Sequence, residues 1–149
     1  VELIAEHPQH RDLILAWGER FIDSLTGMVA GMQPIVESLD ANGVPLFAIT
    51  NFSGEFWKPF RTREAHIFDR FRDIVVSGDE KLVKPDPAIY DLALARFGIA
   101  PERAIFVDDR EENVAAAEAQ GMVGHHFTDA DALRAELGRL GLLSRRATP

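Results

Sequence analysis

Three short stretches of this chain carry residue types that can do chemistry: Thr50-Asn51, Lys84, and Asp108-Asp109 with Asn113 shortly after. The acidic pair directly follows Ile105-Phe106-Val107, an apolar run that reads as a buried strand. Two neighbouring carboxylates at a strand end repel each other unless a cation or a buried lysine stands nearby. A hard divalent ion such as Mg²⁺ suits an oxygen-only site of this kind. Each stretch alone has an ordinary explanation. Thr-Asn at a strand end is turn chemistry, a lysine in Lys84-Pro85-Asp86-Pro87 is a solvated loop residue, and Asp109 can simply cap a helix.

The elements that must position these residues change that balance. Val44 to Ile49 reads as a buried strand with Thr50-Asn51 at its carboxyl end, Ile74 to Val76 as a second, Ala104 to Val107 as a third, and Val123 to Phe127 as a short fourth. Helical patterns separate them. Pro34 opens one with Ile35, Val36 and Leu39 on its apolar face; Glu55 to about Ala65 forms another, with a break or a start at Pro59. Asp86 caps and Pro87 opens a helix that stops at Gly98; Glu111 to Ala119 is closed by Gly121; Thr128 or Asp129 caps the last, through about Leu137. Four alternations of strand and helix mean right-handed crossovers and a parallel sheet. In such sheets ligands bind outside the carboxyl ends of neighbouring strands. A hydroxyl, an amide, an ammonium and two carboxylates then share one crevice, a set able to bind an oxyanion and hold a metal.

Composition narrows the rest. The 149 residues suffice for one domain with a real core, and 46% hydrophobic with 27% charged residues is ordinary for a soluble globular chain. A net charge of −8 argues against nucleic-acid or anionic-membrane partners. The absence of cysteine excludes disulfides, thiol nucleophiles and zinc-thiolate sites, and fits a reducing, cytoplasmic compartment. No apolar run is long enough to span a bilayer, and no signal peptide is visible. Residues 1 to about 30 read as helical, with Leu13, Ile14, Trp17, Phe21, Ile22 and Leu25 at spacings of three and four until Gly27 and Gly31 break the pattern. Trp17, Phe21 and Trp57 are read as packing aromatics rather than a pocket lining. His125-His126 do not make a metal pair, because adjacent strand residues point to opposite faces.

The strand ending in Thr50-Asn51, the lysine of Val83-Lys84-Pro85-Asp86-Pro87, and the pair in Phe106-Val107-Asp108-Asp109 with Asn113 resemble, in order and spacing, three motifs of the haloacid dehalogenase-like (HAD) hydrolase superfamily. The resemblance covers about residues 30 to 143. It implies an α/β fold: a Rossmann-like parallel sheet flanked by helices, preceded over residues 1–30 by a remnant of a helical cap and followed over 144–149 by a disordered tail. It implies that Thr50 hydrogen-bonds a transferring phosphoryl group, that Asn51 lines the substrate pocket, and that Lys84 balances the charge of nucleophile and phosphate. Asp109 would be the Mg²⁺ ligand, Asp108 a partner of Lys84 or of the metal shell, and Asn113 a support behind them.

One departure is severe. The family's first motif, Asp-x-Asp after an N-terminal strand, supplies the covalent nucleophile and the general acid/base. The aspartates before Thr50 are Asp12, Asp23 and Asp40, and none begins an Asp-x-Asp. The chain starts at Val1 rather than Met and reads as a fragment beginning inside the cap, with the central strand of the sheet missing. The expected activity is Mg²⁺-dependent hydrolysis of a phosphate monoester through an aspartyl-phosphate, silent in this chain. One rival is a metal-free 2-haloacid dehalogenase, which would carry smaller neutral residues near the acidic pair. The other is a non-catalytic fragment or interaction module. The partner is accordingly a small phosphorylated metabolite or halogenated acid, and exposed strand edges make an oligomer possible.

Overall fold

The computed structural model describes residues 5–25 and 27–143, without side-chain detail at positions 14 and 17–19. Trp17's side chain and the tail 144–149 lie outside the described residues. The helices are α1 (Arg11–Arg20), α2 (Met32–Ala41), α3 (Gly54–Arg63), α4 (Ala65–Phe68), α5 (Ser77–Glu80), α6 (Pro87–Phe97), α7 (Glu111–Ala119) and α8 (Ala130–Arg139). The strands are β1 (Phe47–Thr50), β2 (Asp73–Val76), β3 (Ile105–Asp108) and β4 (Val123–His126). Strands and helices alternate as the sequence pattern requires, and the fold is a Rossmann-like α/β layer arrangement.

Local chemistry accounts for most boundaries. The Asp86 carboxylate accepts from the Ala88 amide at 2.9 Å with Pro87 in the first turn, and α6 ends at Gly98, whose φ of 66° belongs to the left-handed region. Asp129 caps α8 by accepting from the Ala132 amide at 2.8 Å. β1 is shorter than the apolar run suggests. Pro45 has no N–H for a ladder, so regular pairing starts at Phe47. Pro59 does not break α3, which runs unbroken through it. One missing amide donor is tolerated because Phe56, Trp57 and Phe60 of this helix are held in a chain of ring contacts. Of the long N-terminal helix expected from the sequence, the described residues show a helical Ala5-Glu6, α1, and short 3₁₀ turns at Pro8–His10 and Ile22–Ser24; residues 1–4 lie outside the described residues. The ring chain explains how this segment is attached: Phe21 meets Phe52 and Phe56, with centroids 5.9 and 4.7 Å apart, and the Arg63 guanidinium donates to the Ile22 and Leu25 carbonyls.

β1 pairs in parallel with β2, and β3 in parallel with β4; no ladder joins β1 to β3 among the described residues. The two halves nevertheless share both cores. On one face Ile49 of β1 and Phe106 of β3 pack with Val75, Ile89, Tyr90, Ala93 and Ala117. On the other face Leu46, Ile105 and Val107 pack with Ile35, Leu39, Leu133 and Leu137. This alternation is the two-residue period of strands, with α6 and α7 covering one side and α2 and α8 the other. β1 and β3 therefore lie in one layer, each with a backbone edge unpaired among the described residues.

Unpaired edges recruit other strands. Sedimentation velocity over a range of concentrations is expected to show self-association of this chain. A sharp monomer at every concentration would contradict it.

Candidate active site

The carboxyl ends of β1 and β3 meet through Lys84. Asn51, the residue after β1, holds the Lys84 backbone from both sides: the Lys84 amide donates to Asn51 Oδ1 at 2.9 Å, and Asn51 Nδ2 donates to the Lys84 carbonyl at 3.0 Å. From there the Lys84 side chain reaches the end of β3, where Nζ donates to Asp108 Oδ2 at 2.6 Å. The pair is nearly enclosed, with the two side chains 11% and 6% exposed. The Lys84 ammonium also stands 5.6 Å from the centre of the Phe106 ring.

Asp108 is fully engaged. Its Oδ1 accepts from the Arg110 amide and from Asn113 Nδ2, each at 3.0 Å. Asn113 is itself fixed from below, where the buried Tyr90 hydroxyl donates to its carbonyl at 2.9 Å. Burial pushes the Asp108 carboxyl up, but the Lys84 ammonium, the Arg110 amide and the Asn113 side chain outweigh it, leaving the group below the usual carboxylate range. Burial, and then the charge of Asp108, push the Tyr90 hydroxyl up to about 12. Asp108 is thus a partner of Lys84, and its oxygens are occupied by protein donors.

Asp109 is its opposite. It is exposed, and its carboxylate has no hydrogen bond or ion pair among the described residues. Its backbone carbonyl meets His126 Nε2 at 3.1 Å, across from the register pair Asp108–His126. The neighbouring His125 is turned the other way, and its Nε2 is buried without a hydrogen-bond partner among the described residues. Thr50 ends β1 opposite Val76, half-buried, and its hydroxyl has no partner among the described residues. An open cavity of about 400 Å³ adjoins this edge, lined by Asn51, Phe52, Ser53, Ser77, Lys81 and Val83 among others. Its wall is fixed by a close backbone approach. A side chain at Gly78 would meet the Phe52 carbonyl oxygen at 2.9 Å.

The structure brings Asn51, Lys84, Asp108 and Asn113 into one hydrogen-bonded chain, with Asp109 at the end of that chain and Thr50 next to Asn51. The sequence reading did not anticipate Tyr90, the Arg110 amide or His126. Tyr90 looks like any core aromatic, a backbone amide carries no residue signal, and a strand histidine reveals its target only once the register is known.

The ion pair has a measurable signature. Since the Asp108 pKa in the folded state lies below its ordinary value, the pair contributes fully above about pH 4 and loses its contribution as pH falls through the lowered value. Asp108→Asn leaves the Lys84 charge buried and unpaired. It is expected to cost about 3 kcal/mol at neutral pH and to flatten the acid dependence of stability. Urea unfolding at neutral and acidic pH checks both, and an unaltered acid dependence in the variant would contradict the assignment.

Known proteins resemble this chain in sequence and fold. Residues 4–121 match the family model of haloacid dehalogenase-like hydrolases. A sesquiterpene phosphatase (astK) of Aspergillus oryzae is 38% identical over 112 residues, covering 74% of this chain and 56% of that protein. A phosphoglycolate phosphatase of Yersinia pseudotuberculosis is 30% identical over 114 residues, covering 76% and 48%. The chain thus spans about half the length of these two relatives. Among solved structures, a mutant of a HAD family enzyme of Bacteroides thetaiotaomicron, in complex with magnesium and inorganic phosphate, superposes with a TM-score of 0.54 at 23% identity, over 66% of this chain and 53% of that one. With a family model matching residues 4–121 and a phosphatase 38% identical over 112 residues, the chain belongs to the haloacid dehalogenase-like hydrolase family.

Proposed function

We propose that these residues form the phosphate-binding half of a Mg²⁺-dependent phosphate monoester hydrolase. The observation that carries this reading is a free hydroxyl at Thr50, an ammonium at Lys84 and a free carboxylate at Asp109, all at the carboxyl edge of one strand layer. In the reaction an aspartate oxygen attacks phosphorus, the bond to the alcohol oxygen breaks, and the alcohol leaves with a proton given by the general acid/base carboxyl of the same Asp-x-Asp motif. Water, giving a proton back to that carboxylate, then cleaves the acyl phosphate and returns the nucleophile's carboxylate and inorganic phosphate. Thr50 donates to a phosphoryl oxygen. Lys84 spends one of its three N–H groups on Asp108 and turns the others to the nucleophile and the phosphate. Asn113 keeps Asp108 in place so that this geometry holds.

The attacking aspartate is not among the described residues at this edge. Asp12 and Asp23 lie in the N-terminal helical segment, and Asp40 is paired with Arg70 at 2.7 Å. We assign its delivery to a further strand seated between β1 and β3, where both open edges can pair with it. The segment before about residue 30 then belongs to a helical cap that helps select the substrate. The relatives' named activities differ widely, so the substrate is specified here as a phosphorylated metabolite, handled in the cytoplasm as the acidic, cysteine-free composition favours.

Among the described residues no three His, Cys, Asp or Glu side chains can hold an ion by themselves. Asp109 fits as one ligand because its oxygens are unclaimed; phosphate, water and the added strand's carboxylate would complete an oxygen site. Bound there, the ion would neutralise charge on the phosphoryl group. A dehalogenase has less use for a second, free carboxylate beside Asp108, and this favours the phosphatase reading over the metal-free rival.

With Mg²⁺ the chain is expected to bind inorganic phosphate by calorimetry, at least about tenfold more weakly after Lys84→Ala or Asp109→Asn. It is expected to hydrolyse p-nitrophenyl phosphate no faster than buffer. Turnover abolished by Asp109→Asn would show a nucleophile within the chain. Halide release from 2-chloropropionate without Mg²⁺ would establish the dehalogenase instead, and no binding of either ligand would leave a non-catalytic module.

A further inference from the structure

We infer that Asn51 is a positioning residue: its side-chain amide sets where the Lys84 ammonium stands, and it is not itself a substrate contact. This goes beyond the phosphate-binding reading and rests on it only for its effect on affinity.

The assignment of the two ends of the amide is not open. A backbone N–H can donate only to Oδ1, and a backbone carbonyl can accept only from Nδ2, so the Lys84 backbone dictates the orientation of Asn51. Both strong hydrogen-bonding groups of Asn51 are thereby used at their best geometry. What remains for a ligand is one N–H and one lone pair, facing away from Lys84.

Lys84 needs such a clamp. It lies between α5 and α6, in no helix or strand. Its own amide and carbonyl are both taken by Asn51, across a separation of 33 residues. Asn51 follows Thr50, whose strand is fixed by the ladder to β2. The Lys84 backbone is therefore tied to the end of β1 while its ammonium is tied to the end of β3. Lys84 becomes the strut that sets how far apart the carboxyl ends of β1 and β3 stand. Asn51 is exposed, so water competes for both bonds and the expected effect is moderate.

Three measurements on the full chain test this. In the wild type, hydrogen exchange of the Lys84 amide is expected to be at least about tenfold slower than that of the Val83 amide. An equally fast Lys84 amide would overturn the proposal without any variant. In Asn51→Ala, the ¹⁵N signal of the Lys84 ammonium is expected to move toward those of the exposed lysines Lys58 and Lys81. Affinity for inorganic phosphate with Mg²⁺ is expected to fall about tenfold. Thr62→Ala, on the exposed side of α3, is expected to do neither, and Asn51→Ser, which shortens the side chain but stays polar, replaces Asn51→Ala should that variant fail to fold. Loss of affinity with the Lys84 signal unmoved would make Asn51 a direct contact and overturn the proposal, as would no change in either. A moved signal in a protein whose wild type binds no phosphate would uphold the positioning role and overturn the phosphatase reading instead.

Discussion

The buried pair of Lys84 and Asp108 is the interaction on which the rest of the site depends. A charge that is hardly exposed is tolerated only with a partner of opposite charge, and the carboxylate of the pair needs its remaining lone pairs met by donors. That requirement reaches outward. Asp108 needs the Arg110 amide, so α7 must begin where it does; it needs the Asn113 side chain, so the first turn of α7 must face it; Asn113 in turn is held by Tyr90 from α6. On the other side the lysine must be brought to the pair by a loop without regular structure, and Asn51 does so from the end of β1. Residues from five places along the chain are fixed by one ionic contact.

The same contact separates two adjacent aspartates that look alike in the sequence. Asp108 is consumed by protein donors, whereas the Asp109 carboxylate, at the same strand end, has no partner among the described residues. Repulsion between the neighbours is relieved by Lys84. A bound cation would act on Asp109 alone, which suits a residue whose charge is to be neutralised by a ligand rather than by the fold.

How much of this was legible beforehand depends on what kind of signal each feature leaves. Capping residues were readable because their chemistry is local: Asp86-Pro87 and Asp129 start helices where their side chains reach the next amides. Strand positions were readable from apolar runs, and the convergence of Thr50, Lys84 and Asp108 from their places after strands. Pro59 misled because a proline's local cost is overridden when the surrounding rings pack well. Asn51 was read as lining the substrate pocket, and it does line the cavity at this edge; that its side chain also holds a backbone 33 residues away is something no local pattern can reveal. The choice between Lys84 and a metal as the partner of Asp108 likewise needed distances. The two half-sheets share cores on both faces without sharing a ladder, a combination that hydrophobic patterning cannot distinguish from a continuous sheet.

If Lys84 and Asp108 organise the site as one unit, their contributions to stability must be strongly coupled. A double-mutant cycle with Lys84→Met, Asp108→Asn and the combined variant, followed by urea unfolding at neutral pH, measures that coupling directly. The expected result is a combined variant less destabilised than the sum of the two single changes by at least about 1.5 kcal/mol, because removing both groups leaves no buried charge unpaired. Additivity within about 0.5 kcal/mol would contradict the account, since it would mean that the two groups are stabilised independently and that the pair holds nothing together.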